Sequence, residues 1–194
     1  MIRPGTILIL NGASSSGKTT LLRELQNRLD PPFLETGIDK FIWMLPRRYL
    51  DRPLWDDVLG LAVQPGETGR WLFSGMHHAI AALSRQGICV VADHVLVEPA
   101  WVAQCAELFH ELPAYLVGVR CPLDVLVERE RSRQDRTLGQ AAAQFPIVHA
   151  HGLYDVEVDT SQLNPAECAE KIIQRLHDSQ PPSAFKNLQY SRIR

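Results

Sequence analysis

The residues Gly12-Ala13-Ser14-Ser15-Ser16-Gly17-Lys18-Thr19 follow the pattern G-x-x-x-x-G-K-[ST] without deviation. The chemistry this spacing suits is phosphate binding. Glycines at its first and sixth positions let the backbone approach an anion where a side chain would obstruct it. Several N–H groups can then surround a β-phosphate, and a helix opening at the lysine adds the positive end of its dipole. Lys18 can bridge the β- and γ-phosphates, and the Thr19 hydroxyl can bind Mg²⁺. The pattern can also arise by chance in another kind of strand–turn–helix, so its flanks matter. Here a β-branched apolar run ends at Leu10 and a helical pattern opens near Lys18, as the mechanism requires. The expected ligand is ATP with Mg²⁺, held by this loop together with Thr20.

Three further features carry possible chemistry. Asp39, in Thr36-Gly37-Ile38-Asp39-Lys40, follows a short apolar run. Ligands of parallel sheets bind at the carboxyl ends of strands, so this carboxylate could orient an acceptor hydroxyl and take its proton. It could equally cap a helix over Lys40 to Leu45. Asp93 closes Cys89-Val90-Val91-Ala92, the way P-loop proteins present a Mg²⁺-organising carboxylate, although a cap or turn also suits it. Arg129, Arg133 and Arg136 fall on one helical face at spacings of four and three. Such a row can close over a triphosphate and neutralise developing charge. The alternative is a solvated face of Glu–Arg pairs, each worth ~0.3–0.5 kcal/mol. The row stands where small P-loop kinases carry an arginine-bearing lid. Arg129 is counted with the nucleotide-binding residues, Arg133 and Arg136 with Lys18 and Asp39 as catalytic, and Thr19 and Asp93 as metal-binding. No N-K-x-D motif of GTPases occurs, and the length leaves no room for a second mechanical domain. Both points favour a kinase.

The elements that must position these residues read as strands alternating with helices, the signature of a helix-covered parallel sheet. Strands are expected at Thr6 to Leu10, Phe33 to Thr36, Ile88 to Ala92, Tyr115 to Val119 and, weakly, Val156 to Val158. Their unbroken apolar character implies burial on both faces. Leucines at 21, 22, 25 and 29 mark a helix from about Lys18 to Leu29, stopped by Pro31-Pro32. Further helices are expected at His77 to Arg85, Pro99 to Leu112, Leu123 to Arg133 and Pro165 to His177. Pro46 to Gly69 reads as an irregular decoration. Phe41 to Leu45, Trp55 and Trp71 could wall an aromatic acceptor pocket or simply pack. Ser179 to Arg194 reads as a loose tail, or as an arm docking on a neighbouring subunit of a homo-oligomer. The domain proper is then 1–178, with 179–194 appended.

Composition bounds the partners. The 194 residues contain 45% hydrophobic and 22% charged residues, with a formal net charge of -2. Nothing in that balance favours a nucleic acid or an anionic membrane. No run approaches the ~20 apolar residues of a membrane span, and the start lacks a signal peptide, so a cytoplasmic protein is expected. Cys89, Cys105, Cys121 and Cys168 form no C-x-x-C pair and stand near no histidine at metal-ligand spacing, so reduced thiols are expected.

Taken in order, several motifs resemble the chloramphenicol phosphotransferase family. They are Asn11 to Lys18, Gly37-Ile38-Asp39, Val117-Gly118-Val119-Arg120-Cys121 and Arg129-Glu130…Arg133…Asp135-Arg136. The late segment Val148-His149…Tyr154-Asp155-Val156-Glu157-Val158-Asp159-Thr160 completes the set. The resemblance runs from about Ile7 to His177. It implies a three-layer α/β fold like the nucleotide kinases, with about five parallel strands and an arginine-bearing lid. It also implies ATP as donor, a small-molecule hydroxyl as acceptor, that of chloramphenicol in the founding member, and Asp39 as base. The sequence departs from the family pattern at Asp93-His94 and from Arg47 to Gly75, where the acceptor pocket would lie. A kinase of another metabolite, or a non-enzymatic ATP-sensing module with a basic tail, are the competing expectations.

Overall fold

A computed structural model of the chain describes residues 2–50, 66–132 and 138–191. Five parallel strands form one sheet in the order β2-β3-β1-β4-β5. They are β1 (Ile7–Asn11), β2 (Leu34–Glu35), β3 (Val90–His94), β4 (Ala114–Arg120) and β5 (Val156–Asp159). All five lie where the apolar runs place them. The described helices are α1 (Lys18–Arg28), α2 (Ile38–Trp43), α3 (Glu67–Arg85), α4 (Pro99–Phe109) and α5 (Leu123–Ser132), followed by α6 (Gln140–Gln144), α7 (Pro165–His177) and α8 (Ala184–Ser191). None of them is long and apolar enough to cross a membrane.

The strand pleat divides the core in two. Ile7, Ile9, Val90, Ala92 and Leu116 face a layer containing α3, α4 and α8. Leu8, Leu10, Val91, Val117 and Val158 face α1 and α7 on the other side. With every residue of β1 buried, the three-layer α/β reading holds. The register pairs Leu10 with Asp93 and Asn11 with both His94 and Gly118, so the carboxyl ends of β3, β1 and β4 are level. The chain leaves β1 toward β2 on one side and crosses from β3 to β4 on the other. That reversal opens a crevice beyond β1, where ligands of such sheets bind.

Three elements differ from expectation. Helix α3 begins at Glu67 rather than His77, inside the segment expected to be irregular. Gly69 and Gly75 weaken the helical signal by about 1 kcal/mol each relative to alanine. Burial of Phe73, Met76, His77, Ile80 and Ser84 along one stripe overrides that cost. The short α6 was not expected at all. Residues 179–191, expected as a tail or an arm, carry α8, which packs into the core of its own chain. Phe185 meets Phe109 of α4 edge-on with ring centroids 5.3 Å apart. The Asp155 carboxylate accepts from the amides of Ser183 (2.7 Å) and Ala184 (3.1 Å), fixing the helix start.

Candidate active site

Strand β1 delivers the chain into the phosphate-binding loop through Asn11, which is fully buried. Its side chain donates to the Val148 carbonyl (2.8 Å) and the Tyr154 hydroxyl (2.7 Å), and accepts from the Leu96 amide (2.7 Å). Gly12 follows where a Cβ would stand 2.5 Å from the Val119 carbonyl oxygen, so no other residue fits. Ser15 (φ 66) and Gly17 (φ 88) are both left-handed. Successive amides in such a conformation turn toward a common centre and form an anion-binding concavity. The hydroxyls of Ser14, Ser15 and Ser16 are buried with no hydrogen-bond partner, a costly arrangement for a site with no polar ligand. Gly17 is also the N-cap of α1, so it offers no side chain to the first amides of that helix. The loop therefore fits the phosphates of a nucleotide.

Two cationic and hydroxylic groups complete this end. The Lys18 ammonium donates to the carbonyls of Gly12 (2.9 Å) and Ala13 (2.8 Å) and lies 3.6 Å from an Asp93 carboxylate oxygen. The Thr19 hydroxyl donates to the other Asp93 oxygen at 2.9 Å. Asp93 thus joins the two residues that the loop pattern assigns to phosphate and metal. A threonine hydroxyl beside a carboxylate is a hard oxygen donor set, which suits Mg²⁺.

At the other end of the loop a cavity of about 300 Å³ opens between α1 and the turn after β5, lined by Gly17, Thr20, Arg129, Thr160, Asn164 and their neighbours. Its walls are held by Arg129, which donates to the Thr160 hydroxyl (3.0 Å) and carbonyl (2.8 Å). The Thr160 hydroxyl in turn donates to the Ser16 carbonyl at 2.8 Å, tying arginine, turn and loop together. Asp159 closes its own turn by accepting from the Ser161 amide and hydroxyl. Arg133 and Arg136, the rest of the expected arginine row, lie outside the described residues, as does Trp55.

Asp39 stands in the first turn of α2, and the N-cap of that helix is Gly37 rather than Asp39. A Cβ on Gly37 would come within 3.1 Å of Asp93, so the start of α2 rests directly on the end of β3. Asp39 follows that contact by two residues, on the first turn of the helix. Of the expected aromatic wall, Ile42 is core, whereas Trp43, Met44 and Trp71 are exposed.

Tertiary structure gives contacts to groups that the sequence left without a chemical role. Helix α6 contributes Gln144, whose side-chain oxygen accepts from the Ser14 amide at 2.7 Å. Glu130 fixes the start of α6 by accepting from the amides of Gly139 (2.8 Å) and Ala141 (2.9 Å). Next to Asn11, the Tyr154 hydroxyl bonds His149 Nδ1 at 2.5 Å, and the Tyr154 ring covers Gly118. Burial, aided by Arg120, pushes His149 down to about 3 and His151 to about 4, while burial raises Tyr154. Both histidines are therefore neutral near pH 7.

Behind Asp93 lies a second buried pair. His77 Nε2 and His94 Nε2 are 2.7 Å apart, and Cys105 completes a set of three potential metal donors that sequence spacing concealed. Hydrogen-bond direction argues against a metal here. The Val95 amide donates to His94 Nδ1, so a neutral His94 carries its proton on Nε2 and donates it to His77. His77 then donates from Nδ1 to Gln104 (2.6 Å), whose amide donates to Ser74 (2.8 Å). The result is a directed chain of neutral groups. Burial lowers His77 to about 4 and His94 well below its ordinary value. All four cysteines are buried free thiols.

Comparison with known proteins agrees with this geometry. The model of the chloramphenicol phosphotransferase-like proteins matches residues 5–177. A protein of Mycobacterium tuberculosis (strain ATCC 25618 / H37Rv), assigned by inference as an O-phosphotransferase, is 30% identical over 95% of this chain and 88% of its own. Among solved structures, an unliganded sugar kinase from Janibacter sp. HTCC2649 superposes with a TM-score of 0.67 at 15% identity, over 91% of this chain and 96% of that one. The Mycobacterium tuberculosis APS kinase CysC, in complex with AMPPNP and APS, gives 0.63 at 13% identity, over 90% and 99%. These two likenesses establish a shared kinase fold. With the phosphate loop, the Thr19–Asp93 pair and the match over residues 5–177 in agreement, the chain belongs to the chloramphenicol phosphotransferase-like family of phosphotransferases.

Proposed function

We propose that the protein transfers the γ-phosphate of ATP to a hydroxyl of a small molecule, with Asp39 as the base and chloramphenicol or a related antibiotic as acceptor. The observation that supports this reading is the contact of the Gly37 turn, two residues before Asp39, with Asp93, the carboxylate that the Thr19 hydroxyl bonds. Phosphoryl transfer asks little covalent work of a protein, so positioning and charge stabilisation are the main tasks.

Each residue then has a task. The loop amides and Lys18 hold the phosphates, and Arg129 with Thr160 walls the nucleoside cavity. Mg²⁺, held by Thr19 and Asp93, would supply neutralisation of the phosphate oxygens. Asp39 orients the acceptor hydroxyl and takes its proton as the oxygen bonds to phosphorus and ADP departs. Arg133 and Arg136 are assigned, by their spacing from Arg129, to the charge on the transferred group. Trp43 and Trp71 have exposed rings, the kind of surface on which an aromatic antibiotic stacks.

The test is ADP release with Mg-ATP and a panel of acceptors: chloramphenicol, sugar acids, nucleosides and shikimate-like alcohols. Chloramphenicol should raise turnover well above the acceptor-free rate, and Asp39→Asn should cut that stimulated rate by roughly 10²–10⁴. Stimulation by another alcohol alone would keep the kinase and replace the acceptor. Full activity of Asp39→Asn would remove Asp39 from the mechanism, and no stimulation by any alcohol, with ATP bound, would favour a nucleotide sensor.

A further inference from the structure

We propose that Gln144 is a positioning residue for the outer end of the nucleotide's phosphate chain, making the site prefer a triphosphate to a diphosphate. The inference rests on the reading of the loop as a nucleotide site. Gln144 is 1% exposed although it carries a primary amide, and its side-chain oxygen holds the Ser14 N–H at 2.7 Å across the molecule. Ser14 lies on the arm of the loop that leaves β1, opposite the arm that opens α1 at Lys18. The nucleoside cavity is bounded by Ser15, Gly17, Thr20 and Thr160, and neither Ser14 nor Gln144 lines it. A phosphate chain running from that cavity across the start of α1 meets Gly17, Lys18 and Thr19 first. The Lys18 ammonium lies on the Gly12 and Ala13 carbonyls, beside Ser14, so a chain drawn to it directs its outermost group toward Ser14.

The helix that presents Gln144 is fixed on both sides. Glu130 holds the amides of Gly139 and Ala141 before it, and Asn11 donates to the Val148 carbonyl after it. The side chain consequently stands on a rigid support rather than on a wandering loop. Its chemical type is informative as well. A glutamate would accept from the Ser14 amide more strongly, being charged, yet it would repel a polyanion at the same place. A neutral acceptor is the type that can hold this amide and leave a phosphate undisturbed. The buried hydroxyl of Ser14 adds a second polar atom at the same end.

The experiment titrates Mg-ATP and Mg-ADP separately into wild type, Gln144→Glu and Gln144→Met, with thermal melts of all three. Gln144→Glu keeps an acceptor for the Ser14 amide but buries a charge, so it should melt below wild type at pH 7.5 and bind ATP at least about tenfold more weakly. Its ADP affinity should stay within about threefold, since the added charge acts mainly on the absent third phosphate. Gln144→Met, which has similar length and no acceptor, should lose about fivefold in ATP affinity with ADP little changed. Equal losses for both nucleotides, or none, in either variant would overturn the proposal. A wild type that binds neither nucleotide would overturn the kinase reading itself, a result distinct from the others.

Discussion

Acidification should destabilise this fold through the buried His77–His94 pair, and by an amount that can be worked out. His77 binds its proton at about 4 in the folded chain because burial disfavours the charged ring. In the unfolded chain its pKa is about 6.5. Between those values the unfolded state binds the extra proton, so the stability is fully present above pH 6.5 and drains away as pH falls toward 4. At pH 5 the unfolded residue is almost fully protonated and the folded one hardly at all, which amounts to about 2 kcal/mol from His77 alone. His94 acts in the same direction. For a chain of this length 2 kcal/mol corresponds to a fall of roughly 5 °C in Tm. The assay compares melts at pH 7.5 and 5.0 for wild type and His77→Gln. The variant should melt lower at pH 7.5, because it disturbs the chain from His94 to Ser74, yet lose about 2 kcal/mol less on acidification. Parallel pH dependences in the two proteins would refute the neutral, directed chain.

Two other perturbations test the positions of the base and of the C-terminal helix. Gly37→Ala is compatible with φ -66, but its methyl would lie 3.1 Å from Asp93, so α2 must shift by a fraction of an ångström. Since ~1 Å of misplacement can cost about 10²-fold, kcat should fall roughly three- to tenfold with KM for ATP little changed; an unchanged kcat would mean that this contact does not set the base. Phe185→Ala removes a 2% exposed ring from the core, and such truncations cost ~3–5 kcal/mol, so Tm should drop by roughly 10 °C. A shift below about 2 °C would show that residues 184–191 do not belong to the core.

Local order along the chain was enough to read the phosphate site and the sheet. Eight consecutive residues make the loop, its amides need only their neighbours' backbone geometry, and the strand before it is an unbroken apolar run. Asp39 and Asp93 were visible as carboxylates after short apolar segments, because ligands gather where parallel strands end. What they do there depends on Gly37 resting on β3, a contact between segments more than fifty residues apart that no local pattern encodes. The glycines of α3 weakened its helical signal, and only burial of the Phe73–Ser84 stripe restored it. The polar composition of residues 179–183 concealed a helix whose start is held by Asp155. Gln144, His77 and His94 carry no spacing that announces them: a glutamine 130 residues from its amide partner, and two histidines 17 apart, become significant only after packing excludes water from both. Hydrogen bonds and apolar stripes within one element are set by neighbours in sequence. The pairing of buried polar groups is set by which elements meet, and the tertiary structure alone decides that.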